Sequence, residues 1–280
     1  MKNSIVLIAA LIFTTGAFSR AQESSESKKL QRTVRLLVVG SHPRPIFELH
    51  GGEIVEATPP TAEIPPRQIE LISPKKGRDD DGDSAGTFSP NLNRITIIDG
   101  VKSGDNLKLR LSRPNLPGEN LETTCDLGRE QWPLIIISRS PGPEGWNKPL
   151  TKILDLSAVN LPARRALFVN LTPLRYRAAF DSQLGEIAAN DLHSFTLANG
   201  DAPVRFRIDA VGANGQTKTM LNSSYRVPAT DRLLLVAFPD NLAMGPVPVG
   251  IQILTDPANP TKERMKSAHK NGPGEAGSGG

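Results

Sequence analysis

Val204-Arg205-Phe206-Arg207-Ile208-Asp209-Ala210 decides the fold class. Val204, Phe206, Ile208 and Ala210 alternate strictly with Arg205, Arg207 and Asp209. Successive side chains of a strand point to opposite faces, so this stretch predicts a strand with one dry and one wet face. Phe206 is expected inward and Arg207 outward. Asn106 to Leu111 repeats the pattern, with Leu107, Leu109 and Leu111 inward and Lys108 and Arg110 outward. Thr33 to Val39 and Arg94 to Ile98 are more apolar versions of it. Leu134-Ile135-Ile136-Ile137 and Leu233-Leu234-Leu235-Val236-Ala237-Phe238 are apolar on both faces. Both are too short for comfortable helices and predict central strands covered on two sides. Val249 to Leu254 is expected to be the last strand.

Turn dipeptides punctuate these runs: Gly51-Gly52, Asp99-Gly100, Ser103-Gly104, Asn199-Gly200 and Asn214-Gly215. No long amphipathic helix is legible between residues 33 and 255. Strands at this spacing predict an all-β chain of tandem antiparallel β-sandwich modules, immunoglobulin-like in kind. An internal duplication is also expected. With Leu36 set on Val169, Val38 meets Leu171, Phe47 meets Phe180, and Gly52-Glu53-Ile54 meets Gly185-Glu186-Ile187. The two double-sided apolar runs then correspond as well. The expected organisation is a first sandwich over residues 33–160 and a second over 161–255, joined near Asn160-Leu161-Pro162.

The ends of the chain differ from this middle. Met1-Lys2-Asn3, an apolar run from Ile5 to Phe13, and Ser19-Arg20-Ala21 have the layout of a signal peptide over residues 1–21. That run is too short to span a bilayer core of about 30 Å as a helix, and no later segment is long and apolar enough to do so. The expected location is therefore the periplasm or the extracellular space. Residues 22–32 form a polar lead-in. Residues 256–280, rich in Pro, Lys and Gly, are expected to be a disordered tail.

The chain has 280 residues, 33 Lys+Arg and 29 Asp+Glu. Cleavage after Ala21 removes Lys2 and Arg20, leaving 33 − 2 = 31 basic residues against 29 acidic ones. Basic and acidic residues are interleaved, so the clustered Lys/Arg that nucleic-acid binding needs is missing. With only one cysteine, no intrachain disulfide can form, so stability must come from packing. Cys125 is expected to be a small half-buried residue rather than a nucleophile.

Arg165-Ala166-Leu167-Phe168-Val169-Asn170-Leu171-Thr172-Pro173 resembles the opening strand of a group of uncharacterised exported bacterial β-sandwich proteins. Gly145-Trp146-Asn147-Lys148-Pro149, ahead of a Leu-rich strand, is similar to that group too. The resemblance implies fold and export, and supplies no catalytic residue.

No residue is assigned a catalytic, cofactor-binding or metal-binding role. His42 and His50, with Glu48 and Glu53 nearby, do not provide three nameable zinc ligands. His193 and His269 are expected to be solvated. Asp79-Asp80-Asp81-Gly82-Asp83 suggests a calcium loop. Placing Gly82 at the invariant glycine puts Gly77 and Phe88 where carboxylates are required, so a solvated acidic turn is expected instead. No P-loop is present, and an all-β pattern would not build a dinucleotide fold. Trp132 and Trp146 would form a sugar platform only if exposed and coplanar; the plainer expectation is packing at the sandwich edge. Asn170-Leu171-Thr172 and Asn222-Ser223-Ser224 fit a glycosylation pattern, which carries no weight if the source is bacterial, as the resemblance implies. The leading functional expectation is a non-catalytic exported scaffold with a protein or polysaccharide partner. A carbohydrate-recognising module and an unrecognised hydrolase are the alternatives.

Overall fold

The structure, a computed structural model, describes residues 30–73, 83–103, 106–113, 120–128, 132–200, 202–241 and 248–258. The expected signal peptide, lead-in residues 22–29, the acidic residues Asp79 to Asp81 with Gly82, and the chain from residue 259, including His269, lie outside the described residues. The described chain is nearly all strand, with short 3-10 turns at Thr61–Glu63 and Gly145–Asn147. No helix among the described residues is long and apolar enough to cross a membrane.

In chain order the first half contributes β1 (Leu30–Val39), β2 (Ile46–His50), β3 (Glu53–Ala57), β4 (Gln68–Ser73), β5 (Asp83–Phe88), β6 (Ile95–Ser103), β7 (Asn106–Ser112), β8 (Leu121–Asp126), β9 (Pro133–Ser138) and β10 (Leu150–Asp155). The second half contributes β11 (Arg165–Asn170), β12 (Arg175–Phe180), β13 (Gln183–Ile187), β14 (Leu192–Thr196), β15 (Val204–Val211), β16 (Thr217–Tyr225), β17 (Asp231–Pro239) and β18 (Val249–Pro257). The first half forms sheets β10-β9-β1-β6 and β5-β4-β7-β8; the second forms β18-β17-β11-β14 and β13-β12-β15-β16. With the β2–β3 hairpin set aside, the two strand orders are the same. The halves are topological repeats.

The sheets depart from the expected pattern in one respect. β1 runs parallel to β9, and β11 parallel to β17, at the centre of otherwise antiparallel sheets. These central strands are the double-sided apolar runs, and the layering explains their composition. Val34, Leu36 and Val38 of β1 face the first sandwich core with Ile135, Ile137, Leu107, Leu109 and Trp146. Leu37 and Val39 face the other way and meet Leu167, Val169, Leu234, Val236 and Phe238 of the second half. A separate core inside the second half holds Phe168, Tyr176, Phe180, Phe195, Phe206 and Ile208. The four sheets therefore stack in four layers, and the two inner ones are apolar on both faces.

The register of the duplication needs correction. Setting Leu36 on Val169 matches a residue facing a sandwich core with one facing the central interface. Side chains alternate, so a shift wrong by one residue exchanges the two faces. Leu36 and Phe168 are the residues that face equivalent cores. Phe47 also has no counterpart in Phe180: it lies on the β2–β3 hairpin, which the second half lacks. A firmer repeat mark is an asparagine two residues before β6 and before β14. Asn93 and Asn190 both adopt left-handed backbone, at φ 61 and 57, a conformation that Asn tolerates better than most residues.

Three boundaries also move. Strand β1 begins at Leu30, where Leu30, Gln31 and Arg32 pair with Ser103, Lys102 and Val101. Asp99-Gly100 is not a turn between strands but a bulge within β6. Arg32 pairs with Val101 and Val34 with Ile98, so two residues face Thr33. Gly100 supplies the positive φ of 71 that such a bulge uses. At the other end β18 continues to Pro257, and Asp256 and Ala258 are buried. Their burial removes residues 256–258 from the expected tail.

Asp256 holds the two halves together electrostatically. Arg35 Nη1 of β1 donates to its Oδ1 and Oδ2 at 2.7 and 2.8 Å. Arg232 Nε of β17 donates to Oδ2 at 2.6 Å, and Arg232 Nη2 lies equally close without hydrogen-bond alignment. The spare donors reach backbone carbonyls: Arg35 Nη2 to Trp132 O at 3.0 Å, and Arg232 Nη1 to Leu161 O at 2.6 Å. All three side chains are at least 95 % buried. Burial pushes the Arg232 guanidinium below its ordinary range, and Asp256 opposes that shift.

Candidate functional site

The residues singled out for chemistry are largely structural. Trp146 is 1 % exposed. Its ring fills the first core so closely that a Cβ on Gly40 would stand 2.7 Å from it. Trp132 is half-buried at the opposite end of β9. The two indoles therefore cannot form one sugar-stacking face. The Gly145-Trp146-Asn147 motif is a plug: Arg113 donates to Asn147 Oδ1 at 2.9 Å and to Trp146 O. Asn170 is fully buried. Its amide donates to Leu174 O and Ala188 O, and its Oδ1 accepts from Thr172. The side chain of the first glycosylation-type triplet is thus a corner latch, whereas Asn222 is exposed on β16.

Cys125 is buried more completely than its polar sequence neighbours suggest, at 1 % exposure. It points inward because Leu107, opposite it on β7, does so. Burial pushes its thiol up to about 12, so thiolate is scarce near neutral pH. Alkylation by iodoacetamide at pH 8 is accordingly expected to be slow in the native protein and fast in denaturant. Equal rates in the two states would contradict this burial.

The histidines are dispersed. His193 is half-buried rather than solvated, with its ring 4.7 Å from Phe195. His50 ends β2 beside Glu48 and opposite Glu53, whereas His42 precedes the strand and lines a separate hollow, so the two histidines do not converge. Among the described residues no three His, Cys, Asp or Glu side chains are placed to hold a metal ion.

No chemical motif marks the β2–β3 hairpin. Gly51 and Gly52 have φ of 60 and 94, and His50 pairs with Glu53, so they form a two-residue turn with both φ positive. Leu49 pairs with Ile54 and Phe47 with Glu56, and directly opposed residues share a face. Phe47, Leu49 and Ile54 thus form one apolar surface. Their exposures are 63, 72 and 75 %. Contiguous exposed apolar surface is uncommon on a soluble chain and marks interaction sites. Glu48, Glu53 and Glu56 give the hairpin an acidic character, and His50 lies 3.1 Å from Glu48. Phe47-Glu48-Leu49-His50 before Gly-Gly was the available signal.

Open hollows of about 480 and 390 Å³ adjoin at the root of the hairpin and share His42, Asn91 and Leu92. Gly40, Ser41, Arg67, Gln68, Asn93 and Arg94 complete most of their lining. The chain leaves β1 into the hairpin along one side of this groove and returns past Pro65 and Pro66 along the other. Asn93 fixes the exit: its Oδ1 accepts from Gly40 N at 3.1 Å, and its Nδ2 donates to Gly40 O at 2.8 Å. Ser41 Oγ donates to Asp240 of the second half at 3.0 Å. Among the described residues no Asp or Glu lines the groove. The arrangement places a basic, amide-rich groove beside an apolar, acidic hairpin. No protein-family model matches the chain, and no curated protein matches it.

Proposed function

We propose that the protein is an exported, non-catalytic interaction protein, in which paired immunoglobulin-like sandwiches carry the β2–β3 hairpin and its groove as the binding surface. The observation that carries this reading is the single apolar face of Phe47, Leu49 and Ile54, open to solvent on an element that neither sandwich needs. A lone two-stranded hairpin is marginal in water, and a partner that covers its apolar face stabilises it. The Asn93 and Ser41 contacts anchor its root to the stack, which limits the ordering cost of binding. Export belongs to the same proposal and rests on the pattern of residues 1–21 and the resemblance of the strand at Arg165.

A photo-crosslinking amino acid at Leu49, compared with one at Val159, tests the reading. Val159 is 89 % exposed and lies between β10 and β11, away from the hairpin. Discrete adducts are expected from Leu49, with purified protein alone or with an envelope extract, and not from Val159. The same diffuse adducts from both sites, or none from either, would defeat the proposal.

A further inference from the structure

We infer that the hairpin's partner is the groove of a second copy of this chain, two copies exchanging hairpins about a two-fold axis. The inference rests on the interaction reading above and names its partner. Three features of the surface support it.

The hairpin and groove are complementary in charge. Glu56 shares the face of Phe47, Leu49 and Ile54, and Glu48 and Glu53 on the opposite face keep the whole hairpin acidic, while the groove carries His42, Arg67 and Arg94 and, among the described residues, no carboxylate. Neither the Arg67 nor the Arg94 guanidinium has a carboxylate partner among the described residues. The outer face of the first half is different: there Arg110 pairs with Glu70 at 3.0 Å and with Glu122 at 2.8 Å. Arginine is neutralised on that wall and left available in the groove.

They are complementary in polarity as well. Leu92 and Pro90, both partly exposed, supply apolar surface for Phe47, Leu49 and Ile54. A hairpin also has free backbone groups along both outer edges, which can add to a polar wall or another strand.

Finally, the placement closes. Hairpin and groove share a root, so a copy that lends its hairpin presents its own groove to the returning hairpin. Such an isologous contact doubles the buried surface and ends at two copies instead of propagating into a filament. Within one chain the apolar face stays exposed, so the hairpin does not fill its own groove.

Charge reversal in two complementary variants provides the test, read by sedimentation velocity on the full exported chain. One variant carries Arg67→Glu and Arg94→Glu; the other carries Glu53→Lys and Glu56→Lys. All four side chains are exposed, so both variants are expected to retain the wild-type circular dichroism spectrum. The wild-type protein is expected to sediment at twice the chain mass, with the dimer weakened by salt. Each variant alone is expected to be monomeric, because like charges meet at both contacts. Their equimolar mixture is expected to recover the dimer, because both contacts are then complementary. Dimers that survive either reversal would overturn the inference, as would wild-type protein that stays monomeric at low salt. In the second case, Leu49 adducts formed only with extract would leave the interaction reading standing, whereas no adducts would remove both.

Discussion

Asp256→Ala is expected to destabilise the protein by about 3–5 kcal/mol, the range found when one partner of a buried ion pair is removed. The loss is large because of what remains. Arg35 and Arg232 would keep their charges, facing each other across the central layer without the carboxylate that both hydrogen-bond. Domain stabilities of roughly 5–15 kcal/mol make such a change severe. Urea denaturation of the variant checks the expectation, with the midpoint shift converted at constant slope. The companion variant Arg35→Met/Asp256→Leu/Arg232→Met separates charge from packing. Apolar replacement of a buried ionic cluster is often neutral or stabilising, so this triple variant should recover most of the loss. A wild-type midpoint for Asp256→Ala would show that the triad does not clamp the halves together.

Phe206→Ala is expected to cost about 3–5 kcal/mol, as for other large core truncations, and Arg207→Ala under about 1 kcal/mol. Phe206 is 2 % exposed, and its ring lies 5.4 Å from that of Phe180, nearly parallel to it. Arg207 has a side chain 54 % exposed. It donates to Asp209 and to Thr219 at 2.9 Å, contacts that water largely replaces. Denaturation of the two variants reads the strand register directly. A larger loss for Arg207→Ala would place the wrong face of β15 against the core.

Both predictions concern burial, but they were legible to different degrees. Phe206 was readable because its strand has one wet face: Arg205, Arg207 and Asp209 announce the alternation. Cys125 was harder to read, since Thr123, Thr124 and Asp126 surround it with polar residues. Its burial follows from pairing with β7, where Leu107 fixes the inward side. Asp99-Gly100 was ambiguous for a similar reason: glycine with positive φ serves a turn or a bulge equally well, and only the partner strand decides which. The hairpin's alternation was present around Gly51-Gly52, but sequence alone cannot show that its apolar side lacks a cover.

What the sequence alone determined is therefore local. Period-two alternation set the all-β class, and the apolar runs at Leu134 and Leu233 marked strands covered on both faces. Those properties depend on neighbours one or two residues away, and the backbone geometry of a strand converts them directly into faces. Tertiary structure decided which faces meet. The central layer joins Leu37 and Val39 to Val169 and Val236, and nothing in a strand's own pattern names its partner sheet. Asp256 and Arg35 lie 221 positions apart. Asp256 reads as part of a polar tail until β18 carries it under both guanidiniums. The groove likewise draws on segments from Gly40 to Arg94 that only the closing of the first sandwich brings together. Local alternation is written in adjacent residues; long-range pairing is a choice among many apolar faces, made by the packing of the whole stack.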